Sequence, residues 1–93
     1  MKLSKSSRPA KKYMVEVEGK IIHFGAAGYE DFTTHGDESR KKRYLVRHKN
    51  EDWERSGINT AGFWARWILW NKPSIRQSVQ DINRRFGLRV QLQ

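Results

Sequence analysis

Along residues 13–24, Tyr13, Val15 and Val17 alternate with Met14, Glu16 and Glu18, and Ile21, Ile22, His23 and Phe24 follow Gly19. Alternation on one side of a glycine and a second apolar run beyond it predict a β-hairpin turning at Glu18-Gly19-Lys20. Residues 25–36 contain Gly25, Gly28 and Gly36 and predict a loop, with Tyr29 and Phe32 packing back onto the core from a short helical turn. At Asp37 the pattern changes. Asp37 suits an N-cap, Glu38 falls in the first turn, and bases gather toward residue 49, the order that a helix dipole favours. The helix predicted over 37–49 has only Tyr44, Leu45 and Val46 for an apolar stripe. After a mixed acidic turn over 50–59, anchored by Trp53, residues 60–71 are the most apolar stretch of the chain. They predict a short helix capped by Asn59 or Thr60, with Phe63, Trp67 and Trp70 on its core side and Trp53 and Trp64 as the aromatics left partly exposed. Ile75, Val79, Ile82 and Phe86 mark one face of an amphipathic helix over 75–86, capped by Ser74 and stopped by Gly87. Leu88, Val90 and Leu92 alternate with Arg89 and Gln91 and predict a closing strand that joins the hairpin. The order β-β-α-α-α-β gives an α+β fold: an N-terminal β-hairpin and a C-terminal strand packed on three short helices.

Residues 1–12 change this picture only at the edge. Ser, Lys and Pro dominate them, and they read as a disordered basic arm whose removal leaves the fold intact, with 13–93 forming a single small domain. A chain of 93 residues has no room for two independent cores.

Charge is the strongest chemical signal. Nineteen Lys and Arg against ten Asp and Glu give a net charge of +9. Lys2, Lys5, Arg8, Lys11 and Lys12, unopposed by any acid, hold over half of it. A second block is Arg40, Lys41, Lys42 and Arg43, continued by Arg47 and Lys49, and a third is Arg84 and Arg85. Such a field attracts nucleic acid or another polyanion. The absence of cysteine excludes disulfide scaffolds, thiolate zinc sites and cysteine nucleophiles. No apolar run is long enough to span a bilayer and no signal-peptide pattern opens the chain, so the protein is expected to be soluble and not secreted.

Enzymatic signatures are weak. His23, His35 and His48 fall on a strand, in a loop and on a helix, without the spacing of metal ligands. Gly25-x-x-Gly28 lacks the Gly-Lys-Ser/Thr of a phosphate loop and is followed by acids, so it reads as a bend. No nucleophile elbow accompanies any Ser, His and Asp. Trp64 and Trp67 flank Arg66, which loosely fits a stacking platform for single strands, but helical periodicity favours core packing.

Four strings carry a resemblance: Lys12-Tyr13-x-Val15-x-Val17-x-Gly19-Lys20; Phe24-Gly25-Ala26-x-Gly28-Tyr29-x-Asp31-Phe32-Thr33; Arg43-Tyr44-x-x-Arg47-His48; and Thr60-Ala61-Gly62-Phe63-Trp64-x-Arg66-Trp67-x-Leu69-Trp70-Asn71. Across residues 12–86 the chain resembles a family of small basic proteins of unknown function encoded by large double-stranded DNA viruses of eukaryotes. The resemblance carries no activity, cofactor or catalytic residue. It implies a viral setting, in the virion or in the nucleus or cytoplasm of the infected cell.

The expected function is therefore non-enzymatic binding or packaging of viral DNA through phosphate contacts, without strong sequence specificity. The contact residues are expected among Lys2, Lys5, Arg8, Lys11, Lys12, Arg40, Lys41, Lys42, Arg43, Arg47, Lys49, Arg84 and Arg85. The alternative is a minor capsid or cementing protein of the particle. The expected partners are nucleic acid, duplex DNA first, or an acidic protein surface, with virion proteins among the candidates; no cofactor and no metal is expected.

Overall fold

The hairpin forms where alternation places it. In the computed structural model, which describes all 93 residues, strands β2 (Lys11–Val17) and β3 (Lys20–Ala26) pair antiparallel, with Tyr13 opposite Phe24 and Val15 opposite Ile22. Glu18 and Gly19 make the two-residue turn, both at positive φ (50° and 80°), the backbone that matches the twist of the flanking strands. The sheet extends past the hairpin. Its order is β3-β2-β1-β4, where β1 is Lys2–Lys5 and β4 is Gln91–Leu92. Strand β1 runs antiparallel to β2, with Leu3 opposite Val15, and parallel to β4, with Leu3 opposite Leu92.

This overturns two expectations. Residues 1–12 are not a disordered arm: Leu3 is fully buried, Lys2–Lys5 form an inner strand, and Lys11 and Lys12 begin β2. A single domain therefore spans the chain, including its first residues. The physical reason is that a strand satisfies its backbone through its neighbours whatever its side chains are, and one inward apolar residue suffices to place it. The C-terminal strand also joins β1, not the hairpin itself.

The helical layer starts with α1 (Phe32–His35) and α2 (Glu38–Arg47) and continues through a 3₁₀ turn at Arg55–Gly57 to α3 (Ala61–Trp64). From Ala65 to Leu69 the last of these widens into a π-turn, in which the Trp70 N–H reaches the Ala65 carbonyl at 3.2 Å. Helix α4 (Ile75–Phe86) follows, capped by Ser74 as its sequence pattern indicates. Four helices thus stand where three were expected, because residues 32–35 close a turn of their own under an Asp31 capping box.

One core joins the layers. Leu3, Val15, Val17 and Phe24 come from the sheet; Phe63, Trp64, Trp67, Ile68 and Leu69 from α3 and its π-turn; Val79 and Ile82 from α4; Leu88 and Val90 from the final segment. Trp64, expected to be partly exposed, is the largest fully buried side chain, and its indole N–H donates to the Ile58 carbonyl at 2.7 Å. Trp67 is nearly buried, whereas Trp53 and Trp70 lie at the core margin. Phe32 is buried as expected, but Tyr29 stands 74% exposed.

Helix α2 is fastened differently. Its Tyr44 ring stacks on Trp70 at 4.4 Å and 5°, and the Lys41 ammonium donates to the Asn71 carbonyl at 2.7 Å. Asn71 in turn donates to Asp81, buried on α4 at 2.8 Å. Burial alone pushes the Asp81 carboxyl upward, but hydrogen bonds from Asn71 and Arg85 and the nearby Arg85 charge outweigh it and hold the group below its ordinary 3.8. A carboxyl with a depressed folded-state pKa contributes stability that is present above the unfolded value and lost as pH falls through the folded one. Thermal melts are thus expected to fall below about pH 4, and Asp81→Asn is expected to flatten part of that loss. An unchanged acid limb in the variant counts against this role.

Candidate nucleic-acid interface

Helix α2 presents Arg40, Arg43 and Arg47 on one stripe because residues three and four apart share a helical face. Asp37 starts that helix by accepting from the Ser39 and Arg40 N–H groups, and the Arg40 N–H is the main cause holding its carboxyl below the ordinary value. Across from the stripe, the start of β2 supplies Lys11 and Lys12. Between them lies an open cleft of about 520 Å³. Its lining includes small residues, Gly25 and Ala26 from β3 and Ala61, Gly62 and Ala65 from α3 and the π-turn, together with Phe24, Tyr44, Leu69 and Trp70.

Two glycines stand in this lining. Gly25 has a φ of +80°, where a side chain is strained, and a Cβ there would also meet the end of the Leu69 side chain at 2.7 Å. A Cβ at Gly62 would come within 2.9 Å of the Glu51 carboxyl, which lies against the bare backbone there and bonds to His48 at 3.1 Å. His48 stacks on Tyr44 at 4.3 Å. Burial pushes the Tyr44 phenol far above its ordinary value, so it stays protonated throughout the physiological range.

The basic residues sort into two kinds. Lys12 is a structural cation. Its ammonium reaches the buried Asp31 carboxylate at 2.6 Å, while Asp31 also accepts from the Thr33 N–H and hydroxyl to cap α1. Lys41 is another: besides its bond to Asn71 it lies 4.8 Å from the Phe32 ring centroid, and burial lowers its pKa. Arg40 makes an open pair with Glu30 at 3.3 Å, both side chains in contact with water. Arg43 donates to Ser39 and has no acidic partner; Lys11 and Arg47 have none either. Lys5 borders a shallower depression that shares Lys12, Tyr29, Glu30 and Asp31 with the cleft, so it extends the same face.

Other candidates lie elsewhere. Lys2 sits on β1, Arg8 in the turn before β2, and Lys42 and Lys49 are exposed without lining the cleft. Arg84 and Arg85 bond to Asp81 at 3.3 and 3.2 Å on α4, and Arg85 also lies over the Trp67 ring at 4.7 Å. Arg66, noted in the sequence between two tryptophans but not among the expected contact residues, packs between Trp53 and Trp67 and donates to the Trp70 carbonyl at 2.7 Å; burial lowers its pKa. Its flanking tryptophans were visible, but the partner on its second side is Trp53, not Trp64. The sequence reading took the bases of α2 as one block; the three-and-four spacing of Arg40, Arg43 and Arg47 is the signal that singles out their stripe.

This sorting makes a prediction. Lys12→Ala strands a buried carboxylate and is expected to cost about 3 kcal/mol of stability, the lower end for breaking a buried pair. Lys11→Ala, on an exposed side chain, is expected to leave the denaturant midpoint unchanged. Equal midpoints for the two variants count against the distinction between structural and contact cations.

Residues 1–48, which include β1, β2, β3, α1 and α2, match a family of unknown function (DUF5754). No curated protein and no solved structure matches the chain.

Proposed function

The chain belongs to this family of unknown function, so its role rests on its own surface chemistry, and we propose that it is a non-enzymatic nucleic-acid-binding protein that grips the phosphate backbone of duplex DNA. The observation that carries this reading is the convergence of Lys11 from β2 with Arg40, Arg43 and Arg47 from α2 around one cleft, with Lys5 beside it. Two basic blocks separated in sequence thereby become one basic face. Opposing acids on that face are already engaged, Asp31 by Lys12, Glu30 by Arg40 and Glu51 by His48. Its cations address phosphates, which give affinity without reading sequence. Packaging of a viral genome is the setting proposed for this activity, from the sequence resemblance.

A titration of labelled duplex DNA at several salt concentrations tests the proposal. Four or five phosphate contacts imply a log–log salt slope of about −4 and a loss of about a hundredfold or more in affinity between about 50 and 200 mM salt. Arg43→Ala with Arg47→Ala is expected to reduce that slope by about two. A flat salt response, or no binding at low salt, overturns the reading and favours a structural protein of the particle.

A further inference from the structure

The basic face is concave, and concavity is not what a duplex backbone requires. A phosphate ridge needs cations on a surface that it can lie across; here the cations ring an opening of about 520 Å³. Small residues, Gly25, Ala26, Ala61, Gly62 and Ala65, make up part of its lining, beside Phe24, Leu69 and Trp70. A flat group entering there meets backbone, methyl groups and apolar side chains. At the mouth stands Tyr29, 74% exposed and bordering both the cleft and the adjoining depression. Its ring has no aromatic neighbour. Tyr44, by contrast, has both faces covered, by His48 and Trp70. Tyr29 is thus the most exposed ring of this cleft and has no aromatic partner of its own.

Three carboxylates line the cleft, and of these Asp31 is engaged by Lys12 and Glu30 by Arg40. The Glu51 carboxylate rests on Gly62, held only by His48 and about a third exposed. A carboxylate in such a place accepts from an exocyclic amine, which cytosine and adenine carry and thymine lacks.

We propose that the cleft takes one unpaired nucleotide of a single strand. Its base stacks on Tyr29, its exocyclic amine donates to Glu51, and its flanking phosphates lie on Lys11, Arg43 and Arg47. This rests on the nucleic-acid reading above and narrows it: the rim holds any phosphate backbone, but the interior is filled only by a base out of its stack.

The experiment compares a single strand of about ten nucleotides, within the site size of small single-strand binders, with a duplex of the same length, for the full chain and two variants. Tyr29→Ala, an exposed position, is expected to leave the melt unchanged. It is expected to weaken binding of oligo(dC) by about five- to a hundredfold, the range for losing one stacked base, and to leave duplex binding unchanged. Oligo(dC) is expected to bind more tightly than oligo(dT), and Glu51→Gln to reduce that preference; Glu16→Gln, on the sheet, controls for charge and is expected to keep it. If Tyr29→Ala weakens neither ligand, or both equally, the cleft proposal is overturned while the basic-face reading stands. If single strands bind with this Tyr29 and Glu51 dependence but duplexes do not, the duplex reading falls and the cleft proposal holds. Failure of both ligands to bind at low salt overturns both.

Discussion

A chain lacking residues 1–5 is expected to lose its cooperative thermal transition. The deleted residues supply β1, an inner strand with β2 on one side and β4 on the other. Without it the Gln91 N–H loses the Met1 carbonyl and the Gln93 N–H loses that of Leu3, both bonds of 2.8 Å, so the final strand has nothing to pair with. The edge of β2 is left open along Tyr13, Met14 and Val15. Leu3 leaves a hole beside Val15, because it is a fully buried member of the common core. Removing one buried leucine side chain alone costs about 2–5 kcal/mol, against a total of about 5–15 kcal/mol for a domain of this kind. Loss of the whole strand adds its ladder bonds and the release of Leu88 and Val90. Circular dichroism of the truncated chain on heating checks this, with Leu3→Ala as the milder companion, expected to melt cooperatively but earlier. A truncated chain melting within a few degrees of the intact one shows that β1 is dispensable.

The second large effect is expected from Trp64→Ala. The indole is fully buried, lies edge-on to Phe63 with ring centroids 5.2 Å apart, and packs near Phe24 of the sheet at 6.5 Å. Its N–H is satisfied by the Ile58 carbonyl, so truncation removes apolar volume and leaves a buried carbonyl without its donor. A loss of about 3–5 kcal/mol follows from truncating a buried tryptophan, which lowers the melting midpoint by about 15 °C or more in a domain of this size. Trp53→Ala is expected to cost much less: that ring lies at the core margin, and the contact it gives Trp67 is made by its backbone carbonyl, which alanine keeps. Equal losses in the two variants count against this difference in burial. Retained stability with lost ligand binding in Trp64→Ala overturns its assignment to the core.

These two results fall where sequence reading and structure part. The hairpin, α2 and α4 were legible because each is specified within a few residues of itself. Alternation around Glu18-Gly19 sets the hairpin, the Asp37 side chain starts α2, and Ile75, Val79, Ile82 and Phe86 between Ser74 and Gly87 define α4. The α+β class followed from their order. The composition of residues 1–12 suggested an arm because little in it is apolar, yet a strand between two others draws its stability from backbone pairing, which composition does not report. Trp70 left the core side because the π-turn over Ala65–Leu69 alters the helical phase that periodicity assumes to be constant, whereas Trp64 precedes that turn and is buried by its packing on Phe63 and on Phe24 of the sheet. The basic residues were all visible by identity, as blocks. Which of them remain open to a ligand was decided by partners distant in sequence: Asp31 engages Lys12, the Asn71 carbonyl engages Lys41, and Asp81 engages Arg84 and Arg85. Local sequence determines the elements and the sign of the charge. Only the tertiary structure, by bringing β2 and α2 together across Gly25 and Gly62, decides which charges ring a cleft and which hold the fold, because hydrogen bonding and burial depend on distances that the chain sets only when folded.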